Sequence, residues 1–387
     1  MSNLSDPAAT DPAGDPAATD PFGDPAATDP ASDPAGAFQP GEGLVELGWG
    51  PPFDAAFQDR DVDGTVPARV ARVDRGALTV LTGAGDLRVL VAPQLAHDSD
   101  PLKAPTVGDW VVLQGASVIE VLPRRSTIVR GGAGSGDIPQ VLAANVDKVF
   151  GVCSREGRFR ARRLERLLVL AWQSGAAPVA VLTKADLADD PTGAVEAAER
   201  LIGGGDVVAV SSITGVGMDA IHGFLEPGAT IALLGPSGAG KSTLANRLGR
   251  GTLDLATGEI RDDGKGRHTT TARELVRLPG GALLIDTPGL RALSLWDADE
   301  AIKEAFGEIE ELAATCRFSD CGHRSEPGCA IQEAIAAGHL DADRYASFEK
   351  LRREQRHLVS RVDPRLRAEE RKRLKAFGKL QRNLGKR

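Results

Sequence analysis

The centre of the sequence reads Gly235-Pro236-Ser237-Gly238-Ala239-Gly240-Lys241-Ser242-Thr243. We name this stretch the phosphate loop, because it fits the nucleotide-binding pattern and lies between a predicted strand and a predicted helix. Its glycines let backbone N–H groups turn toward a β-phosphate, and the helix adds its positive N-terminal end. Lys241 would reach the β- and γ-phosphates, and Ser242 would bind Mg²⁺. A glycine loop can also make an ordinary strand–helix turn, and the same string would suit a transporter ATPase or a nucleotide kinase.

Two segments before the phosphate loop predict which base is bound. They are Thr183-Lys184-Ala185-Asp186, after the apolar run Val179–Leu182, and Ser211-Ser212, at the end of the next predicted strand. The Asp186 carboxylate could accept hydrogen bonds from N1–H and the 2-amino group of guanine, which adenine does not offer. The stem of Lys184 would cover the face of the base, and the two serines could contact guanine O6. The alternative for both segments is a solvated loop at the end of a strand.

Two segments after the phosphate loop predict a magnesium site. Asp286-Thr287-Pro288-Gly289 ends the apolar run Ala282–Ile285. There the carboxylate would hold Mg²⁺ through water, and the Gly289 N–H would meet the γ-phosphate. The polar stretch Gly266–Thr271 reads Gly-Arg-His-Thr-Thr-Thr and is suited to a mobile switch. One of its threonines should complete the Mg²⁺ shell, and we favour Thr270.

The order of these motifs is rotated. In a conventional GTPase the phosphate loop comes first and the base-reading motif follows, whereas here Asp186 precedes the phosphate loop and Asp286 comes last. The same sheet can still close if the chain is circularly permuted. Because chance matches would not give a complete rotated set, the order favours a permuted GTPase.

Hydrophobic periodicity predicts three folded regions. Period-two alternation between Gly64 and Pro123 indicates about five short strands, typical of an OB-type barrel, with an SH3-like barrel as the alternative. From Lys148 onward, strand-like runs alternate with helical ones, which is typical of an α/β domain with a parallel sheet. The predicted elements there are strands Lys148–Cys153, Pro178–Thr183, Val207–Ser211 and Thr230–Leu234, and helices Arg160–Ser174 and Thr192–Leu201. From Leu293 onward the pattern is mostly helical.

Three of the four cysteines lie within fourteen residues, together with a histidine. The spacing is Cys316-x4-Cys321-x-His323-x5-Cys329. Three thiolates and one imidazole make a closed tetrahedral set for one structural zinc ion, with no open position for catalysis. Four unrelated residues in a helical region are the alternative. The remaining Cys153 lies in an apolar run and is expected in the core of a strand.

Charge is distributed unevenly, although the chain as a whole has a formal net charge of −8. Residues 1–59 contain 11 acidic residues and no Lys or Arg, and Asp-Pro-Ala-Ala-Thr-Asp-Pro repeats from Asp6, Asp15 and Asp24. This composition predicts a disordered acidic extension. Residues 344–387 contain 16 basic and 5 acidic residues, a net of +11. Such a tail suits phosphate backbones, although a solvated helix surface would have the same composition.

The predicted helix 344–361 has one apolar face and one basic face. Core packing is expected for Tyr345, Phe348, Leu351 and Leu358, which leaves Arg352, Arg353 and Arg356 for RNA phosphates. No apolar run approaches the roughly 20 residues needed to cross a bilayer, and no basic region followed by an apolar block starts the chain. We therefore expect a cytoplasmic monomer with no membrane partner.

Together these motifs resemble the circularly permuted, ribosome small-subunit-dependent GTPase family, called RsgA or YjeQ, over roughly Gly64–Arg361. The resemblance rests on the rotated motif order, the Gly-Arg-His-Thr-Thr-Thr stretch, the Cys/His spacing and the link Gln140–Lys148. It implies binding of the small ribosomal subunit and its ribosomal RNA, with GTP hydrolysis late in subunit maturation and stimulation by the subunit. The predicted limits are 1–43 for the acidic extension, 44–130 for an RNA-binding OB barrel, 131–292 for the permuted GTPase domain, 293–361 for the zinc domain and 362–387 for the basic tail.

The resemblance also implies a catalytic role for His268, and Lys241 of the phosphate loop is the second predicted catalytic residue. Ras-like enzymes have a water-positioning glutamine where this chain has Leu290, and an apolar side chain cannot orient water. Without the resemblance, His268 would be taken as a solvated loop residue. We expect slow hydrolysis in isolation, because RNA contacts would be needed to order the switch. Two features depart from the family: many members have Asn at the position of Thr183, and the acidic extension is not shared.

Two other classes of function compete with this interpretation. An ATP-driven transporter subunit would need a Leu-Ser-Gly-Gly-Gln-like signature after the phosphate loop, which is absent, and would leave Asp186 unexplained. A non-catalytic RNA-binding module with a relic nucleotide site would not need Lys241, Ser242 and Asp286 together.

Overall fold

The structure is a computed structural model. It describes residues 43–58, 64–74, 76–97, 100–130, 139–156, 159–188, 192–202, 205–251, 253, 273–286 and 298–362, with the backbone alone for 286 and 357–362. The acidic extension, the stretch 266–271 and the basic tail beyond residue 362 lie outside the described residues.

A closed five-stranded barrel follows one short helix, α1 (Pro51–Gln58). Its strands are β1 (Thr65–Val73), β2 (Leu78–Thr82), β3 (Gly85–Val91), β4 (Trp110–Gln114) and β5 (Ser117–Val121), with the short helix α2 (Pro93–Ala96) after β3. β1 pairs antiparallel with both β2 and β4, and β3 pairs parallel with β5, so the strands close in the order β1-β2-β3-β5-β4. This strand order is that of an OB fold. It confirms the OB-type barrel and excludes the SH3-like alternative.

The second region is an α/β domain. Its strands are β8 (Lys148–Ser154), β9 (Ala177–Thr183), β10 (Asp206–Ala209), β11 (Thr230–Leu234), β12 (Glu274–Arg277) and β13 (Leu283–Asp286). A separate two-stranded sheet, β6 (Thr127–Arg130) and β7 (Gln140–Ala144), comes between the barrel and these strands in the sequence. The helices of the α/β domain are α3 (Ala161–Ser174), α4 (Gly193–Ile202), α5 (Met218–His222) and α6 (Lys241–Leu248). β10, β9, β8, β11 and β13 are neighbours in that order and run parallel, and β12 adds antiparallel. The predicted strands and helices are confirmed to within two residues.

The hairpin of β6 and β7 and the strand β12 were missing from the sequence interpretation. The link Gln140–Lys148 contains β7, whose residues Val141–Ala144 are buried. β7 is short, and its partner β6 lies across a Gly-rich stretch, so local periodicity gave no signal. β12 has only four residues, two apolar ones flanked by charged ones, which is too short for a periodic signal. It connects the α/β sheet to β1 of the barrel through the pair Arg72 and Glu274.

A buried arginine joins the barrel to the α/β domain. Arg69 of β1 is 1% exposed. Its guanidinium donates to the Asn145 carbonyl at 3.1 Å, to Thr230 Oγ1 at 2.7 Å and to the Leu47 carbonyl, and it lies 5.4 Å from the Trp110 ring centroid. Burial lowers the pKa of Arg69 to about 10. Because these acceptors come from three separate segments, one side chain fixes their relative position.

Four helices form the described part of the C-terminal region. They are α7 (Asp299–Ala305), α8 (Gly307–Ala314), α9 (Ala330–Ala336) and α10 (Ala342–Val362). Two of them, α7 and α10, pack against α3. Arg166 of α3 forms a two-bonded ion pair with Glu354 of α10 at 2.5 and 2.7 Å, and the buried Glu165 accepts from Arg344 at 3.2 Å. Burial raises the pKa of Glu165, while hydrogen bonds from Ser347 and Arg344 oppose the shift.

The apolar face of α10 is buried as predicted at Tyr345, Phe348 and Leu351, whereas the side chain of Leu358 lies outside the described residues. Arg352 is paired, although the sequence predicted that it would be left for RNA phosphates. Its guanidinium pairs with Glu310 at 3.3 Å and lies 5.5 Å from the Phe348 ring centroid. The side chain is 49% exposed, so this ion pair lies at the surface and leaves part of the arginine accessible to solvent.

Candidate nucleotide and metal sites

The phosphate loop turns tightly between β11 and α6. A Cβ atom at Gly235 would lie 2.3 Å from the Val152 carbonyl oxygen, so only glycine allows this approach to β8. Gly240 has φ +86° and caps α6, with the Leu244 N–H bonded to its carbonyl at 2.9 Å. Lys241 begins the helix, and its ammonium donates to the carbonyls of Gly235 and Pro236 at 2.7 Å each. The lysine charge therefore lies directly over the loop, where a phosphate would enter.

The other residues of the phosphate loop differ in exposure. Ala239 is 2% exposed and packs into the core. Ser237 and Gly238 are exposed, and Ser242 and Thr243 are half-buried in the first turn of α6. The outer part of the loop is thus accessible to a ligand while its base is anchored.

Thr183 ties the base-reading segment to the phosphate loop. Its side chain is 2% exposed, and Oγ1 donates to the Ala239 carbonyl at 2.6 Å, with the Cys153 carbonyl at 3.3 Å. The residue that departs from many family members therefore still braces the loop. Cys153 is buried as predicted, and burial raises the pKa of its thiol to about 12, which keeps it neutral.

The segment after Thr183 is shaped by an unusual backbone conformation. Lys184 has φ +56°, and the Ala185 N–H donates to the Val210 carbonyl at 3.0 Å. Asp186 lies exposed in the single helical turn Ala185–Leu187. The Lys184 ammonium pairs with the Glu156 carboxylate, which directs its stem along the mouth of the site.

The two serines after β10 have different environments. Ser211 is fully buried, its N–H donates to the Val216 carbonyl at 2.9 Å, and its Oγ accepts from the Thr214 N–H at 3.1 Å. Ser212 is half-buried. Because Ser211 is used to shape the loop, Ser212 is the better placed of the two to meet a ligand.

A cleft of about 300 Å³ adjoins the phosphate loop. Its walls are Pro236, Ser237, Gly238 and Ala239 on one side and Cys153, Ser154, Glu156, Arg160, Arg163 and Lys184 on the other. Glu156, Arg160 and Arg163 were missed by the sequence interpretation. The run of arginines in residues 155–166 was the available signal, but no motif spacing connected it to the phosphate loop.

The remaining predicted site residues are described in part or not at all. Asp286 ends β13, next to β11, so its backbone lies at the same sheet edge as the phosphate loop. Its side chain lies outside the described residues, as do His268, Thr270 and Gly289.

The four predicted metal ligands come together in the segment Cys316–Cys329, named the Cys/His loop below. Their ligand atoms all lie within 4.8 Å of one another. The Nδ1 atom of His323 is 3.5 Å from the sulfur of Cys316 and 3.6 Å from that of Cys329. Three sulfurs and one ring nitrogen converging in this way could hold one metal ion, and the donor set is the one that zinc prefers.

A carboxylate supports the turn that carries His323. Glu326 accepts hydrogen bonds from the backbone N–H groups of Gly322 at 3.1 Å, Arg324 at 2.8 Å and Ser325 at 3.0 Å. These donors lower the pKa of Glu326 to about 2. The Gln332 side chain adds a 2.8 Å bond to the His323 carbonyl. The ligand histidine, at φ +54°, is thus held from both sides.

Comparison with known proteins indicates the family of this chain. A family model described as RsgA GTPase matches residues 121–296. A small ribosomal subunit biogenesis GTPase RsgA from Opitutus terrae is 46% identical over 88% of this chain and 97% of its own length. The chain belongs to the RsgA family. A second RsgA, from Streptomyces avermitilis, is also 46% identical, over 87% of this chain and 92% of its own length.

Solved structures agree with this RsgA assignment. YjeQ from Thermotoga maritima is 26% identical, with a TM-score of 0.57 over 74% of this chain and 97% of its own. YloQ, described as a circularly permuted GTPase, is 24% identical with a TM-score of 0.51 and supports the fold alone. This RsgA family member is therefore a circularly permuted, GTP-hydrolysing enzyme of ribosome biogenesis. Among its described residues, none of the helices is long and apolar enough to cross a membrane.

Proposed function

We propose that this RsgA family member binds the small ribosomal subunit and its ribosomal RNA, and that it hydrolyses GTP late in small-subunit maturation, stimulated by the subunit. The hydrogen bond from Thr183 to the Ala239 carbonyl gives the strongest support for the GTP site, because it joins the base-reading segment and the phosphate loop in one site. The two relatives are named small ribosomal subunit biogenesis GTPases, and we take the proposed partner from that name.

The proposed residue roles combine the positions described above with the sequence motifs for the residues that lie outside the described part of the chain. Asp186 reads guanine, with Lys184 over the base and Ser211-Ser212 near O6. Backbone N–H groups of Gly235–Thr243 cradle the phosphates, and Lys241 balances the charge that develops in hydrolysis. Ser242, Thr270 and Asp286 hold Mg²⁺, Gly289 meets the γ-phosphate, and His268 orients the attacking water.

The Cys/His loop holds one structural Zn²⁺ through Cys316, Cys321, His323 and Cys329. Four protein ligands fill a tetrahedral shell, so the ion would stabilise the C-terminal helices and take no part in hydrolysis. We assign residues 44–130 to RNA binding, 131–292 to the GTPase domain, 293–361 to the zinc domain and 362–387 to a basic tail. We further propose a cytoplasmic monomer.

The test is hydrolysis of GTP and ATP by the full chain, alone and with purified small ribosomal subunits, with large subunits as the control. GTP-selective hydrolysis that rises many-fold with small subunits alone is the expected result. Nucleotide binding with equal rates under all three conditions would contradict the proposed partner while leaving the nucleotide site intact.

A further inference from the structure

The Cys/His loop presents an aromatic ring to solvent. Phe318 lies between the ligands Cys316 and Cys321, and its side chain is 42% exposed. Seven large apolar side chains are strongly exposed among the described residues, and Phe318 is the aromatic one. A single exposed apolar side chain is ordinary on a protein surface, so the groups around the ring decide whether it fits a partner.

The backbone under this ring is fixed. The Arg317 N–H donates to the Gly328 carbonyl at 3.1 Å, and the Cys321 N–H donates to the Phe318 carbonyl at 3.2 Å. Gly328, at φ +75°, passes so close that a Cβ there would lie 3.1 Å from the Arg317 Cβ. A ring on such a base loses little conformational entropy when a partner covers it.

A guanidinium accompanies the ring. The Arg317 Cζ atom lies 5.5 Å from the Phe318 ring centroid, and Arg324 is exposed across the loop. Of the two acidic side chains in the loop, Glu326 accepts from three backbone N–H groups, and Asp320 is exposed. A flat ring with a stacked cation matches an unpaired base and its phosphate better than it matches an aliphatic protein pocket.

We propose that Phe318, with Arg317, forms a stacking platform for an unpaired base of single-stranded RNA. The inference rests on the proposed function for the identity of the natural RNA, and it adds a contact residue on the zinc domain. The platform itself does not depend on nucleotide hydrolysis, so the two proposals can fail separately.

The experiment measures binding of the full chain to a fluorescent single-stranded oligoadenylate of about 10 nucleotides and, separately, to small ribosomal subunits. Phe318→Ala should weaken oligonucleotide binding about 5- to 100-fold, the loss expected for one stacked base. Phe318→Trp should retain affinity and show quenched tryptophan fluorescence on binding. Val216→Ala, at another exposed apolar position but in the GTPase domain, is the matched control and should bind as the wild type does.

The outcomes separate the possibilities. Unchanged oligonucleotide affinity in Phe318→Ala, or no quenching in Phe318→Trp, overturns the platform. Phe318→Leu tests the rival partner: full affinity of this variant for subunits would indicate an apolar protein pocket and overturn base stacking. Wild-type protein that binds the oligonucleotide through Phe318 but ignores small subunits would support the platform and contradict the proposed function.

Discussion

The phosphate loop and the Cys/His loop both hold ligand residues on tight turns, but they are stabilised differently. The phosphate loop lies at the edge of a large parallel sheet, where Ala239 is buried and Thr183 braces the backbone. The Cys/His loop is largely exposed and relies on its own ligands and on Glu326. A site built on a deep core should keep its shape without a ligand, whereas a site with little core should depend on its metal.

The largest effect is expected from Cys329→Ser, which removes one of four metal ligands. Metal binding supplies roughly 10 kcal/mol or more in small zinc domains, so the Cys/His loop should lose its ion and its order. Metal content and far-UV circular dichroism measure the loss, while GTP affinity should stay near that of the wild type.

Cys153→Ala is the control for that variant. Cys153 is buried on β8 and takes no part in the cluster, so this protein should retain one metal ion per chain. Equal metal loss in both variants would show that the cluster is not the metal site, and loss of GTP binding in Cys329→Ser would show that the two loops are not independent.

Lys241→Ala should have the next largest effect, confined to the phosphate loop. Removal of the ammonium that lies over the loop should lower kcat for GTP about 10²- to 10³-fold. Steady-state kinetics measures this, and thermal unfolding should change little because Lys241 is not in the core.

Lys148→Ala provides the matched lysine control. Lys148 starts β8, at the opposite edge of the sheet, and its ammonium lies 5.5 Å from the Phe224 ring centroid. Its kcat should equal that of the wild type. A similar decrease in both variants would mean that net charge, and not the position of Lys241, limits hydrolysis.

Thr183→Val tests the brace with nearly constant side-chain volume. The buried Ala239 carbonyl loses its donor, which should lower the free energy of unfolding by about 1–3 kcal/mol and weaken GTP binding. Denaturant unfolding and nucleotide titration measure the two effects. Thr183→Ser keeps the hydroxyl and should restore both values. If Thr183→Val has wild-type affinity, the hydrogen bond does not shape the nucleotide site.

Glu326→Gln should give the smallest effect, about tenfold or less in the rate of metal loss to a chelator. The pKa of Glu326 is lowered to about 2, so its contribution is present above the unfolded value near 4.5 and is lost as the pH falls toward 2. The difference between variant and wild type should therefore be constant between about pH 6 and 8. A difference that varies strongly within this range would point to another titrating group.

Sequence could predict the elements with strong periodicity and the motifs with fixed spacing. Thr230–Leu234 was predicted to the residue, and the convergence of the four Cys and His side chains was predicted from their spacing alone. Contacts between distant segments were beyond such reasoning. Thr183 and Ala239 are 56 positions apart, so the role of the hydroxyl as a brace depends on how β9 and β11 flank β8. The ion pair between Arg352 and Glu310 could not be predicted for the same reason. The composition of one helix does not reveal which other helix packs beside it.

The buried Arg69 has a consequence for the modularity of this chain. Its guanidinium comes from the barrel, but Asn145 and Thr230 belong to the sheet that carries the phosphate loop. A fragment cut at the barrel boundary would take away the donor for those acceptors and expose the surface around them, and β12 would lose its neighbour β1. The GTPase domain is therefore not an interchangeable unit. Evolution, or a protein engineer, can replace the barrel only with one that supplies its own hydrogen-bond donor to Asn145 and Thr230.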